Sequence, residues 1–89
     1  MMQRMQERVV MGVDEERAWK VLASEEGEVM VFEVCNRAKM VPSAVDQAGR
    51  DLDRHGLVDL GGEGVERWMR ARPAKRHVRV MVLAGVGLA

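Results

Sequence analysis

Tyrosine, isoleucine and threonine are absent from the sequence, and Phe32 is its one phenylalanine. With so few aromatic rings there is little on which unpaired bases could stack, which disfavours a single-strand nucleic-acid binder. Valine, leucine, methionine and alanine must build the core instead. The one cysteine, Cys35, excludes a disulfide within the chain.

Long uncharged runs are also lacking. The longest nearly uncharged stretch, residues 78–89, is shorter than the roughly 20 residues that a membrane-spanning helix needs, and it contains Arg79. The chain does not open with the charged, apolar and small-residue pattern of a secretory signal. We therefore expect no membrane segment and a cytoplasmic protein.

Neither sign of charge is in excess, since 14 basic groups balance 14 acidic ones. That neutrality excludes a protein that coats polyanions over its whole surface. The balance is uneven along the chain, because residues 1–36 carry four basic and eight acidic groups, whereas residues 37–89 carry ten and six. Residues 67–79 hold six basic groups and no acid. A phosphate backbone selects such a run, and a solvated basic loop is the alternative.

Local patterns predict three helices. At 89 residues the chain is long enough for one domain, and we expect an N-terminal extension over 1–13 and a domain over 14–89. Asp14 and the two glutamates after it predict the start of the first helix, which ends within 25–28. The pattern then predicts a short strand or turn over 29–31, a helix over about 32–39, and a helix from Pro42 to about His55, stopped by Gly56.

A wing should follow the helices. Residues 57–60 form an apolar strand pattern and 61–64 a glycine-rich turn. Residues 78–82 alternate like a returning strand, so the long basic connection, with a short helical turn in it, lies between two paired strands. The predicted fold class is α+β, a winged helix-turn-helix of about three helices followed by a two- or three-stranded β-wing.

The helix over 42–55 has two different faces. At about 100° per residue, Val45, Ala48, Gly49 and Leu52 share a packing arc, and the glycine indicates close approach of another backbone, expected from the first helix. The opposite stripe can donate hydrogen bonds to phosphates and base edges in a major groove, or its arginines can pair with the helix's own aspartates and keep it soluble. That stripe consists of Ser43, Gln47, Arg50 and Arg54.

Two segments carry a family resemblance. Residues 33–45, EVCNRAKMVPSAV, and 52–58, LDRHGLV, resemble the winged helix-turn-helix of the MarR transcriptional regulators, and the strand pattern RVMVLAGVG over 79–87 resembles the end of that family's wing. The resemblance implies a small transcriptional regulator that binds duplex DNA sequence-specifically, with recognition helix 42–55 in the major groove and a basic wing over 61–77 on the backbone. With Arg54 and Arg70 added from the residue pattern, the predicted DNA-binding residues are Ser43, Ala44, Asp46, Gln47, Arg50, Arg54, Arg70, Arg72, Lys75 and Arg76.

The acidic positions of the recognition helix and the acidic N-terminal half motivate an alternative, and three positions depart from the family pattern. Asp46 stands where the family usually has a hydroxyl residue, Gln47 where arginine is frequent, and Asp59 where arginine often follows Gly-Leu-Val. The alternative is a winged-helix protein–protein interaction module without DNA binding, docking through the 42–55 face or the apolar C-terminal strand. Free aspartates on that helix would favour this alternative, whereas pairing with its arginines would favour DNA.

Other chemistry is not expected. Cys35, His55 and His77 lack the spacing of metal ligands, so we expect no metal and no cofactor, and no constellation of nucleophile, base and orienting group predicts an enzyme. A redox role for Cys35 is left open. The predicted partner is double-stranded DNA, and a homodimer and a protein partner are both left open.

Overall fold

Residues 7–83, the part of the chain that the computed structural model describes, form three α-helices and five short strands. The predicted α+β winged helix-turn-helix is confirmed, with two additional strands outside the wing. In chain order the elements are β1 (Arg8–Met11), α1 (Val13–Ala23), β2 (Val29–Met30), α2 (Val31–Ala38), α3 (Pro42–Arg54), β3 (Val58–Gly61), β4 (Trp68–Ala71) and β5 (Arg79–Val82).

The first helix begins one residue before the predicted start. Gly12, rather than Asp14, is its N-terminal cap, and the backbone N–H of Gly12 donates a 2.7 Å hydrogen bond to the carboxylate of Glu15. The acidic first turn remains where the helix dipole favours it. The helix ends at Ala23, and the hydroxyl of Ser24 donates to the carbonyl of Val21 at 2.7 Å.

The turn between α2 and α3 is stabilised by hydrogen bonds from α1. Lys39 ends α2 in the left-handed conformation, with φ of 58°. The guanidinium of Arg17 in α1 donates to the carbonyl oxygens of Ala38 at 2.7 Å and Lys39 at 3.1 Å, so the exposed end of α2 is satisfied by α1. Pro42 opens α3 and Gly56, with φ of 73°, follows its end, as predicted.

The wing is built from a different pair of strands than the sequence predicts. Strand β4 pairs antiparallel with β3, Val58 opposite Ala71 and Gly61 opposite Trp68, and on its other side with the two-residue strand β2. The prediction that residues 78–82 pair with residues 57–60 as the return strand of the wing is therefore wrong. In β4, Met69 and Ala71 are buried while Trp68 and Arg70 are half-buried, and the short helical turn predicted in this connection lies before the strand, over Gly64–Glu66.

Strand β5 instead joins the N-terminal segment. It lies parallel to β1, with Arg8 opposite Arg79 and Val10 opposite Met81, in a separate two-stranded sheet. The inner face of this sheet packs on the domain, and Met11 is buried in the core. The division into an extension over 1–13 and a domain over 14–89 stays a prediction.

The core lies between the three helices and the wing sheet. A Cβ added at Gly49 would lie 2.8 Å from the terminal methyl of Met69. The close approach at Gly49 is thus made by a side chain of β4. The expectation that the backbone of the first helix approaches Gly49 is wrong. The buried core side chains are Met11, Ala18, Trp19, Val21, Leu22, Val29, Val31, Val34, Ala38, Val45, Ala48, Leu52, Leu57, Val58, Met69 and Ala71.

Candidate nucleic-acid interface

The outer face of α3 is polar and open to solvent. The predicted packing arc is confirmed, because Val45, Ala48, Gly49 and Leu52 are all buried. Ala44 and Asp46 are half-buried at the edges of that arc. The four residues of the opposite stripe are exposed: Ser43, Gln47, Arg50 and Arg54.

A chain of hydrogen bonds orders this stripe. Arg50 donates to the side-chain oxygen of Gln47 at 3.3 Å, and the amide nitrogen of Gln47 donates to Asp51 at 3.1 Å. Asp51 also forms an ion pair with Arg54 at 3.0 Å. Gln47 therefore lies near the middle of the face, with Ser43 one turn before it and both arginines of the stripe after it along the helix.

A crevice of about 280 Å³ separates the wing from α3. Asp46 and Arg50 line its helix side, and Leu60 to Gly62 and Arg67 to Met69 line its wing side. Arg67 closes the crevice by pairing with Asp46 at 2.8 Å, and it also donates to the carbonyl of Gly64. Arg72, further along the wing, lies 3.9 Å from Asp53. These two contacts fix the wing against the helix.

Asp59 of β3 holds two wing arginines. It accepts from Arg70 at 2.8 Å and from Arg72 at 3.1 Å. The hydrogen bond from Arg70, helped by the charges of Arg72 and Arg70, lowers the pKa of Asp59 below its ordinary value. Arg70 also lies with its guanidinium carbon 5.6 Å from the centre of the Trp68 ring, a distance typical of a cation–π contact.

Two predicted wing residues lie elsewhere. The hairpin of β3 and β4 ends at Ala71, so the expected basic wing over 61–77 is wrong in its extent. Lys75 pairs with Glu7 at 2.7 Å. Arg76 donates to the carbonyl of Ala23 at 3.3 Å. Both therefore face the N-terminal segment and the end of α1, because the chain turns away from the hairpin after β4.

The tip of the wing is acidic. Glu63 and Glu66 are exposed there, and neither forms an ion pair within residues 7–83. Between positions 42 and 72 the sequence holds five arginines and six carboxylates. Within the described part of the chain, Arg50 is the arginine of this set that no carboxylate pairs. The surface formed by α3 and the wing is thus nearly neutral.

The aspartates of α3 are not free. Arg54 neutralises Asp51, as the DNA interpretation expects, but Asp46 and Asp53 are paired by Arg67 and Arg72 of the wing. These pairs between α3 and the wing depend on β4 lying beside β3, where residues 78–82 were expected. The alternation in 68–71, opposite residues 58–61 across a glycine-rich turn, was the signal that could have found it.

Several searches of residues 7–83 find nothing further. No helix there is long and apolar enough to cross a membrane. In the same residues, no group of three or more His, Cys, Asp or Glu side chains is placed to hold a metal ion. Cys35 is half-buried and packs against the core.

Comparison with known proteins supports the class that this geometry defines, a winged helix-turn-helix domain. No protein-family model and no curated protein sequence matches the chain. Among solved structures, the chain is similar to a MarR family transcriptional regulator from Silicibacter pomeroyi, with a TM-score of 0.60, 20% sequence identity and coverage of 72% of this chain. The match covers 46% of that regulator's chain, so this protein spans about half of its length. The MarR-like winged-helix fold is therefore confirmed.

Proposed function

We propose that the protein binds duplex DNA sequence-specifically, as a small transcriptional regulator, with α3 in the major groove and the β3–β4 hairpin beside the neighbouring backbone. The observation that carries the proposal is the outer face of α3, an exposed and hydrogen-bonded polar stripe on the helix that follows the turn. A major groove about 12 Å wide admits such a helix. The solved structure with a similar fold is a transcriptional regulator, which supports this assignment.

Within α3 the side chains suit different contacts. Gln47 can form a bidentate pair with adenine, and Arg50 with guanine. The methyl group of Ala44 can contact a thymine methyl, and Asp46 can accept from cytosine if Arg67 releases it. Ser43, at the first turn, and Arg54, at the last, are proposed to bind phosphates.

The wing is proposed to position the helix rather than to dominate affinity. Asp59 accepts from Arg70 at 2.8 Å and from Arg72 at 3.1 Å, so the remaining N–H groups of these arginines are proposed to donate to phosphates. Lys75 and Arg76 come after the hairpin, so they are proposed to add phosphate contacts only where the DNA extends past it. With most of its arginines paired, the surface should show a shallow dependence of affinity on salt.

The test begins with selection of bound DNA fragments from a random pool at a stated salt concentration. Arg50→Ala should lower affinity for the selected site by about tenfold or more, the effect of losing one bidentate base contact, while affinity for unselected DNA changes little. Arg8→Ala is the matched control, because Arg8 is also exposed but lies on β1. Failure to select any sequence, or equal effects of the two variants, would overturn the proposal.

One observation favours a second candidate, a protein–protein interaction module without DNA binding. The surface of α3 and the wing carries one more carboxylate than arginine, whereas a phosphate backbone rewards an excess of cations. A protein partner recovered by α3, with its binding lost in Gln47→Ala and no DNA selected, would favour this candidate.

A homodimer belongs to the proposal too. Two copies would read two half-sites about one helical turn of DNA apart. The mass in solution, measured with and without the selected DNA, tests it, and a single copy on a site without symmetry would count against it.

A further inference from the structure

An apolar cleft lies outside the α3 face, between α2, the turn that follows it and the tip of the wing. Its volume is about 600 Å³, and we call it the α2–wing cleft. The residues that line it are Val31, Phe32, Cys35, Asn36, Met40, Val41, Pro42, Gly64, Val65 and Arg67.

Three large apolar side chains stand open to solvent around this cleft. Phe32 is 60% exposed, Val41 63% and Val65 89%. They come from three separate places in the chain, the first turn of α2, the approach to α3 and the wing tip, and the fold brings them to one concavity. Single exposed apolar residues are ordinary, but several around one concave surface mark an interaction site.

The wing-tip side of the cleft is acidic, whereas the α2 side has the exposed Lys39 next to Met40 in the chain. Glu63 and Glu66 flank Val65, and within residues 7–83 neither has a basic partner. The one arginine that lines the cleft, Arg67, is already bound by Asp46 at 2.8 Å and by the carbonyl of Gly64. An anionic lipid surface would meet carboxylates and valine at the wing tip, with no free cation from the residues that line the cleft.

From this combination we propose that the α2–wing cleft docks a basic amphipathic helix of a partner protein. The apolar stripe of such a helix, at i, i+3, i+4 and i+7, would fill the space between Phe32, Val41 and Val65. Its lysines or arginines would meet Glu63 and Glu66 at the rim, where complementary charge sets orientation and speeds association. The surface is separate from the α3 stripe, so this inference does not rest on the proposed DNA binding.

The probe is a peptide of about 18 residues, five helical turns, made of leucine, lysine and alanine with the leucines on one face. Two controls are a peptide of the same composition with the leucines scattered and a peptide with glutamate in place of lysine. Binding is followed by the methyl signals of the methionines. Met40 lines the cleft, whereas Met81 lies on β5. The amphipathic basic peptide should therefore shift the methyl signal of Met40 and leave that of Met81 unchanged.

Variants then assign the contacts. Val65→Ser should weaken binding about tenfold, as expected for losing a buried valine contact, and since Val65 is 89% exposed the fold should be unaffected. The double variant Glu63→Gln, Glu66→Gln should weaken binding several-fold at low salt and flatten its salt dependence. Val10→Ser, an exposed valine of β1 outside the cleft, is the matched control and should change nothing.

Other outcomes overturn the proposal. Equal binding of the scattered or glutamate peptide, a shift at Met81 in place of Met40, or an effect of Val10→Ser equal to that of Val65→Ser would do so. Self-association of the protein that Val65→Ser abolishes would identify a second copy as the occupant instead. Arg50→Ala should leave peptide binding unchanged, which keeps this test independent of the DNA experiment.

Discussion

Removing the charge of Asp59 should strengthen DNA binding, if the arginines it holds are withheld from phosphates. Asp59 binds Arg70 at 2.8 Å and Arg72 at 3.1 Å. Asp59→Asn keeps the shape of the side chain and removes its charge, so Arg70 loses its only ion pair among the described residues. Arg72 is released in part, because Asp53 remains 3.9 Å away. The surface thereby gains one to two cations that can reach the backbone.

The size of the effect follows from counterion release. Each additional phosphate contact steepens the plot of log affinity against log salt by about 0.9, so the slope should steepen by about 0.9 to 1.8. Over the tenfold range of salt from 1 M to 0.1 M, a slope of 0.9 amounts to about eightfold. Asp59→Asn should therefore bind DNA about eightfold more tightly than the wild type at 0.1 M salt for one added contact, and about 60-fold for two, and the gain should vanish near 1 M.

The assay is fluorescence anisotropy with a labelled duplex of the selected sequence, titrated at several salt concentrations. Glu28→Gln is the matched control, because it changes the net charge equally, is exposed, and takes part in no ion pair within residues 7–83. An unchanged slope in Asp59→Asn, or an equal gain in Glu28→Gln, would refute the reasoning. Weaker binding by Asp59→Asn would show that Asp59 serves DNA binding by positioning the wing.

Two further predictions concern the wing itself. Gly62 has φ of 78°, and a Cβ there would lie 2.2 Å from the carbonyl oxygen of Glu66. Gly62→Ala should therefore lower the free energy of unfolding, measured in urea, by at least about 1–2 kcal/mol. Gly27→Ala is the control and should change it little, because nothing lies within 4 Å of its added Cβ; equal effects would contradict the turn geometry. Because the pKa of Asp59 is lowered in the folded state, its contribution is complete above the ordinary value of 3.8 and is lost as pH falls through the lower folded value. The difference in unfolding free energy between wild type and Asp59→Asn should hold constant from pH 7 to about 5 and shrink at lower pH, and a difference that stays constant down to pH 2 would count against it.

The helices could be predicted from sequence because local rules set their ends. Pro42 fits the first turn of a helix and Gly56 takes the left-handed conformation after it, and both need only neighbouring residues to be recognised. The strand pairing could not be predicted in the same way. Residues 78–82 alternate more clearly than 68–71, yet β5 pairs with β1, about 70 residues earlier in the chain.

In the candidate site, too, the local features could be predicted and the long-range contacts could not. The outer stripe of α3 follows from helical periodicity, and its exposure is confirmed for Gln47 and Arg50. The partners of the other arginines depend on which strand lies opposite β3. Once β4 takes that position, Arg70 and Arg72 reach Asp59, and Arg67 reaches Asp46. These contacts join different elements, so the sequence pattern of a single helix or strand does not predict them.

These ion pairs link the geometry of the surface to its electrostatics. The carboxylates that fix the wing against α3, Asp46 through Arg67 and Asp53 through Arg72, are the same groups that neutralise arginines of the proposed DNA surface. A surface built in this way gives up the non-specific attraction that unpaired cations would supply. In the proposed complex, discrimination between sequences would then come from a few base contacts on a positioned helix, with Arg50 and Gln47 at their centre. For the proposed DNA binder, the near-neutral surface predicts low non-specific affinity, and the selectivity of Arg50→Ala measures that directly.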